Sequence, residues 1–207
     1  MTADLAPGEL AIGVPPLESR GSGRSLGWWG VVCLIATEGM LFALLLFGNF
    51  YLRAVNRHWP MGGIEDPELA KSGVRTVVLL SSTIPAVVAE RAIKRGQRSV
   101  AAAGITLTIL MGSAFLAGHV DEYLTLWPKF QPSTNAYGSV FYTITALHAL
   151  HVLIGILILG FLLWRLLAGH YGGGRPEAIE TGTMYWHFVD VVWVFVFSSL
   201  YLSVTLL

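Results

Sequence analysis

Thiols are nearly absent from this sequence, in which Cys33 is the single cysteine among 207 residues. One thiol excludes a disulfide within the chain and any metal centre that takes two thiolates from it. Because Cys33 lies in an apolar stretch, we expect it to be buried and inert. Charge is also scarce: Asp, Glu, Lys and Arg make up 13% of the residues, and the formal net charge is zero. No basic patch favours nucleic acid as a partner.

Apolar residues fill the chain instead, at 54% of the composition with a mean hydropathy of +0.63. A soluble domain would intersperse more polar positions. Each of five apolar blocks is near or above the roughly 18–20 residues that a helix needs to cross about 30 Å of hydrocarbon. Backbone groups in lipid must bond within their own segment, so we predict an all-α, polytopic transmembrane bundle of five helices over residues 26–207. The blocks are Leu26–Leu52, Gly73–Glu90, Ser99–Ala117, Tyr137–Ala168 and Thr183–Leu207.

Basic residues predict the orientation of the bundle. If the N-terminus is inside, eight of them lie inside and five outside, which favours a cytoplasmic N-terminus and an external C-terminus. Residues 1–25 contain no apolar core of a signal peptide, and we expect them to form a mobile cytoplasmic tail. Residues 119–136 are expected to form an outside loop.

Glu38 is the strongest single candidate for a functional residue, because it is a charged residue within the first apolar block. At about 1.5 Å per residue it lies roughly 18 Å beyond Leu26, near the middle of the membrane. A carboxyl group there is expected to be protonated, or paired with a polar partner inside the bundle. Two interpretations stay open: a neutral acid bonded to a neighbouring helix, or a proton-linked or lipid-contacting group.

Two further polar pairs are spaced one helical turn apart inside apolar blocks: His148 with His151, and His187 with Asp190. His148 and His151 reach a depth similar to that of Glu38, and neither pair has third and fourth ligands nearby in sequence. We therefore predict hydrogen bonding between helices, with Glu38 as a candidate partner, rather than a metal or haem site. His187 and Asp190 are interpreted as a local polar pair that fixes helix packing or a lipid headgroup.

Proline and glycine predict local packing. Pro85, in the second block, implies a kink and a freed carbonyl group. Gly104, Gly112, Gly155 and Gly160 would allow close contact between helices. Aromatic rings near block ends, among them those of Trp28, Trp29, Tyr185 and Trp186, are typical of membrane interfaces.

Several ordered motifs resemble subunit III of the haem–copper cytochrome c oxidases. The first block is similar to the family's helix with the carbodiimide-reactive glutamate, and the last two blocks are similar to its penultimate and last helices. The pair Glu122-Tyr123 also fits, although Ala149 replaces a usual glycine. The motifs are Leu26-Gly-Trp-Trp-Gly, Ala36-Thr-Glu-Gly-Met-Leu-Phe, Tyr137-Gly-Ser-Val-Phe-Tyr-Thr, His148-Ala-Leu-His-Val-Leu-Ile-Gly and Tyr185-Trp-His-Phe-Val-Asp-Val-Val-Trp.

This resemblance implies a five-helix bacterial form of subunit III in an aa3-type oxidase of the inner membrane. Such a subunit packs on subunit I, beside subunit II and a possible small subunit IV, in a complex that takes electrons from cytochrome c, reduces oxygen and pumps protons. It implies haem and copper in the partner subunits and no cofactor in this chain except bound phospholipid. The subunit would sustain proton uptake and protect against turnover inactivation.

The resemblance also implies roles for particular residues. Glu38 would be the reactive carboxyl group near the region of proton entry. The residues in contact with lipid would be Trp28, Trp29, Tyr185 and Trp186. No residue of this chain would be catalytic.

Three alternatives remain open from the sequence. The chain resembles subunit III of quinol oxidases and an accessory subunit of nitric oxide reductases in the same superfamily. A different class is a small transporter that relays protons through Glu38 and the histidines. Discontinuous helices or paired half-repeats would favour the transporter, and the sequence shows neither.

Overall fold

The computed structural model describes residues 24–56, 58–60, 69–169 and 177–203. Over these residues five helical segments are long and apolar enough to cross a membrane, which confirms the predicted transmembrane bundle. We number the helices α1 Leu26–Val55, α2 Leu69–Ser81, α3 Thr83–Lys94, α4 Arg98–Leu126, α5 Ala136–Leu167 and α6 Glu177–Phe197, and a π-helical turn Ser198–Leu202 follows α6. The predicted mobile tail falls on residues 1–25, of which 1–23 lie outside the described residues.

The second span consists of α2 and α3, which meet at Ser82. Pro85 has no N–H group, so the carbonyl group four residues earlier loses its helical partner. The interruption at Ser82, three residues before Pro85, agrees with the predicted kink. Gly104 of α4 packs against the kinked segment, where a Cβ atom would lie 2.7 Å from the Pro85 carbonyl oxygen. Only glycine fits so close to another backbone.

Glycines also form a slot for the indole ring of Trp186. A Cβ atom at Gly112 would lie 2.5 Å from Cη2 of that ring, and one at Gly155 would lie 2.9 Å from its Cε3. The predicted close contacts at these positions are confirmed. At Gly160 a Cβ atom would meet no described atom within 4 Å, so the contact predicted there is wrong.

Helix α1 lies at the edge of the bundle, where it packs on α5 and α6. Only 6% of its apolar stretch is buried by the rest of the chain, against 56% for the last span. Cys33 is exposed on this helix, so the expectation that it is buried is wrong. The reason is that α1 presents most of its apolar surface outward, as a helix in contact with lipid or with another subunit can.

Helix α4 continues to Leu126, so residues 119–126 are helical and not part of a loop. The loop expected from residue 119 is based on these polar side chains, and it is wrong for residues 119–126. His119 is 3% exposed and Glu122 has a side chain that is 9% exposed, because both find partners within the bundle. The helix can therefore carry charge without exposing it to lipid.

Candidate functional site

Glu38 of α1 faces His151 of α5. The distance between Glu38 Oε2 and His151 Nε2 is 3.2 Å. The histidine side chain is 8% exposed, whereas the glutamate side chain is 30% exposed at the edge of the bundle. The structure thus gives the carboxyl group a partner on a neighbouring helix and leaves it reachable from outside the chain.

The second nitrogen of His151 determines where protons can lie. Its Nδ1 is 2.8 Å from the carbonyl oxygen of Leu147, which can only accept, so Nδ1 carries a proton. Nε2 then accepts from a protonated Glu38, or donates to an ionised one as part of an imidazolium ring. Both arrangements share one proton across the contact and have no net charge. This pair can move a proton between its members without creating a net charge in the low-dielectric interior.

His148 lies one helical turn before His151 but forms no bond with Glu38. Its side chain is 0% exposed, and neither ring nitrogen has a hydrogen-bond partner among the described residues. Its ring packs against the rings of Trp193, with centroids 4.7 Å apart, and Phe115, at 5.9 Å. The two histidines therefore lie one turn apart on the same helix but in different environments. His151 bonds to Glu38, whereas His148 packs among aromatic rings.

Asp190 does not pair with His187. Its Oδ2 accepts a hydrogen bond from the hydroxyl group of Thr83 at 2.5 Å, which ties α6 to the start of α3. Its Oδ1 is buried and has no hydrogen-bond partner among the described residues. His187, one turn earlier on α6, is half-buried. The interpretation as a local pair is corrected: Asp190 joins two spans, because its side chain points across the interface and not along its own helix.

A polar cluster that the sequence did not predict surrounds Glu122, and we call Glu122, Arg75, Ser72, Tyr201 and His119 the Glu122 cluster. Arg75 Nη2 lies 2.8 Å from Glu122 Oε1, and their side chains are 16% and 9% exposed. Ser72 and Tyr201 donate hydroxyl groups to the same carboxylate at 3.1 and 2.9 Å. His119 Nδ1 lies 3.5 Å from it. Sequence reasoning missed this cluster because its members come from α2, α4 and the π-helical turn.

The opposite end of the bundle, where α1 begins, carries a more exposed network. Lys94 of α3 lies 2.8 Å from Glu90 and 2.9 Å from Glu180 of α6, with its side chain 45% exposed. Arg24 lies 4.0 Å from Glu180 and stacks over Trp28 with 5.0 Å to the ring centroid. Cationic and aromatic groups at this end can contact lipid headgroups.

The four aromatic candidates for lipid contact occupy two environments. Trp29 is 54% exposed beside Trp28, whereas Tyr185 and Trp186 are 3% and 0% exposed. Trp186 donates its indole N–H to Ser82 at 2.9 Å, in the kink of the second span. Lipid contact stays a prediction for all four residues, and only the half-buried Trp28 and the exposed Trp29 on α1 offer a surface for it in the isolated chain.

No group of three or more His, Cys, Asp or Glu side chains with the geometry of a metal site occurs among the described residues. The absence of a metal or haem site stays a prediction that metal analysis can test.

Comparisons with known proteins decide the family. The sequence profile described as cytochrome c oxidase subunit III matches residues 24–204. A cytochrome c oxidase subunit 3 from Thermostichus vulcanus is 34% identical over 174 residues, which cover 84% of this chain and 85% of the relative. This chain belongs to the cytochrome c oxidase subunit III family. The subunit 3 of Synechocystis sp. is 35% identical over 178 residues, covering 86% of this chain and 76% of that protein. The subunit 3 of Coturnix japonica is 32% identical over 179 residues, covering 84% and 68%.

Membership in the subunit III family confirms the resemblance drawn from the motifs. The matched region includes the Glu38–His151 pair, the Asp190 contact and the Glu122 cluster. As a member of this family the chain is a multi-pass membrane protein and part of an oxidase complex with other subunits. The oxidase chemistry belongs to that complex, and the described part of this chain shows no catalytic centre of its own.

Proposed function

We propose that this chain is the non-redox subunit III of an aa3-type cytochrome c oxidase in a bacterial inner membrane. There it packs on subunit I, binds phospholipid, sustains proton uptake by subunit I and protects the enzyme from turnover inactivation. The observation that carries the proposal is the Glu38–His151 pair, in which Glu38 Oε2 lies 3.2 Å from His151 Nε2 and the carboxyl group is 30% exposed near the middle of a span. An ionisable group inside a membrane helix is costly and is a functional-site hypothesis by default.

The chemistry of a hydrophobic carbodiimide tests this pair. A protonated Glu38 transfers its proton to a carbodiimide nitrogen, and the carboxylate oxygen then bonds to the central carbon to give an O-acylisourea. The reaction needs a carboxyl group that is both protonated and reachable from lipid. Glu38 meets the second condition by its exposure, and the shared proton of the His151 contact supplies the first in one of its two arrangements.

The experiment is carbodiimide labelling of the purified complex, followed by mass spectrometry of this subunit. We expect label on Glu38 and none in Glu38→Gln, with assembly largely intact, because an amide still donates to His151 Nε2. Glu177→Gln is the matched control, since Glu177 is an exposed carboxyl group at the start of α6. Undiminished labelling in Glu38→Gln would identify another carboxyl group as the reactive one.

Lipid contact is proposed at the end of the bundle where α1 begins, which we assign to the cytoplasm. The exposed ring of Trp29 and the Arg24–Trp28 stack support it, because aromatic and cationic side chains anchor at headgroup depth. Replacing Trp28 and Trp29 by Leu should lower the phospholipid that co-purifies with the complex. Phospholipid content equal to that of the parent complex would contradict this assignment.

Cytochrome c is the proposed electron donor to the complex, with subunits I and II as partners. The relatives named cytochrome c oxidase subunit 3 support this choice over a quinol donor. Oxidation rates of the purified complex with reduced cytochrome c and with a quinol test it. Faster turnover with the quinol would favour the quinol oxidase alternative, and proton movement by the chain alone in liposomes would favour a transporter.

A further inference from the structure

His148 presents polar groups that the Glu38–His151 pair does not use. A neutral imidazole ring has one N–H donor and one acceptor nitrogen. In His148 both are buried without a hydrogen-bond partner among the described residues, in a side chain that is 0% exposed. Buried polar groups are nearly always hydrogen-bonded, to protein or to ordered water.

A third unsatisfied nitrogen belongs to His119. Its Nε2 is buried and has no partner among the described residues, in a side chain that is 4% exposed. Its Nδ1 lies 3.5 Å from Glu122 Oε2, so a neutral ring with its proton on the side of that carboxylate leaves Nε2 as an acceptor. His119 therefore needs a donor at Nε2, and Glu122 cannot supply it.

The same two aromatic rings pack against both His119 and His148. Phe115 has ring centroids 5.9 Å from both histidines, and Trp193 lies 6.2 Å from His119 and 4.7 Å from His148. Neither ring has a hydrogen-bond acceptor atom. The single donor, the indole N–H of Trp193, is already bonded to Thr76 at 2.9 Å. The described residues around the two histidines thus supply no hydrogen-bond partner for these nitrogens.

We propose an internal hydration site between α4, α5 and α6, in which water binds both ring nitrogens of His148 and one water bridges to His119 Nε2. The bridging water accepts the N–H of His148 and donates to His119. A second water donates to the other nitrogen of His148. The site extends the hydrogen bonding of the Glu122 cluster inward to His148.

The site ends at His148. The next histidine along α5, His151, uses Nδ1 on Leu147 at 2.8 Å and Nε2 on Glu38 at 3.2 Å. Neither ring nitrogen of His151 is therefore available to a water molecule of the hydration site. The hydrated histidines and the Glu38–His151 pair are consequently two separate polar systems within one bundle.

The test is transfer of magnetisation from water protons to histidine ring nitrogens, measured by NMR on the complete complex in bilayers with ¹⁵N-histidine in this subunit. We expect transfer to His148 and His119 and none to His151. In His148→Phe, which removes the polar ring, the transfer to His119 Nε2 should be lost. In His148→Gln, which keeps a polar side chain, it should persist. His58→Phe, at an exposed position, is the control and should remove only its own signal.

Three results would overturn the proposal. In the parent complex, absence of transfer to His148 would show that its ring is dry, and equal transfer to His151 would show general water penetration. If His148→Phe prevents assembly, these two readings of the parent complex still decide the matter. Unchanged transfer to His119 in an assembled His148→Phe complex would show that the water is not shared.

Discussion

Replacing Arg75 by Met should be one of the most destabilising changes in the chain. The substitution keeps an unbranched apolar stem and removes the guanidinium group that lies 2.8 Å from the Glu122 carboxylate. It also removes the donor to the Gly118 carbonyl group and to Ser72 Oγ. Glu122 would keep the hydroxyl groups of Ser72 and Tyr201 but would have no permanent cation beside it.

The magnitude follows from burial. Removing one partner of a buried ion pair costs about 3–5 kcal/mol, because the other charge stays buried and uncompensated. We expect the low end, ~3 kcal/mol, since the Arg75 side chain retains 16% exposure and two hydroxyl donors remain on Glu122. A cost of this size corresponds to roughly a hundredfold change in the unfolding equilibrium constant.

Lys94→Met is the matched control. Lys94 also forms two ion pairs, at 2.8 and 2.9 Å, but its side chain is 45% exposed. Exposed ion pairs contribute about 0.2–1 kcal/mol each, so this change should be mild. Both variants remove a cation. They differ in the burial of the ion pair that is broken and in the two further hydrogen bonds that Arg75 donates, to Gly118 and Ser72.

The assay is the temperature at which this subunit dissociates from the purified complex in lipid nanodiscs. Arg75→Met should lower that temperature clearly more than Lys94→Met. The double variant Arg75→Met/Glu122→Gln should recover part of the loss, because no buried charge is left unpaired. Equal effects of the two single variants, or a further loss in the double variant, would refute the reasoning from burial.

Four other outcomes are expected. Asp190→Ala should give a complex depleted in this subunit or its lipids, because the bond to Thr83 that joins two spans is lost. Early oxygen uptake by that complex should be faster than its sustained rate. A fully assembled enzyme that is inactive from the first turnover would contradict this. Gly112→Ala should lower the dissociation temperature, because the methyl group would lie 2.5 Å from Trp186, whereas Gly160→Ala, facing open space, should not. Reporter fusions at Gly173 should appear in the cytoplasm, and an external signal would reverse the proposed orientation. The isolated subunit should show no haem spectrum and no stoichiometric copper, as six histidines without a ligand set predict.

The spans could be predicted because length and apolarity are local properties of the chain. The kink at Pro85 is local for the same reason, since the missing N–H group acts within its own helix. Spacing also identified His148 and His151 as a unit on one face of α5. It could not say which of them meets Glu38, because that depends on how α5 is rotated against α1. One helical turn separates a hydrogen-bonded histidine from one with two unsatisfied nitrogens.

The partners of the other buried charges were harder to predict. Asp190 and His187 are one turn apart, yet the aspartate bonds to a threonine 107 residues away in sequence. The hydrogen-bond partners of Glu122 include Tyr201, which lies 79 residues later in the sequence. A usable signal did exist: Arg75 lies inside an apolar block, and His119 precedes Glu122 by one turn. A charge of each sign at similar depth predicts a pair once the helices are known to be antiparallel neighbours.

The position of Glu38 complicates any experiment that reads its chemistry through the activity of the complex. Helix α1 has little burial, and among the described residues its side-chain polar links to the rest of the chain include the His151 contact and the bonds from Arg53 to Ser203 at 2.8 and 3.1 Å. A carbodiimide adduct on Glu38 would break the first link as well as remove a proton site, so lost activity could reflect a displaced helix. Glu38→Gln keeps a donor for His151 Nε2 and removes the titratable proton, whereas Glu38→Leu removes both. If only proton transfer through Glu38 matters, both variants should slow sustained turnover equally. If only the tether matters, Glu38→Gln should behave like the parent complex and Glu38→Leu should not.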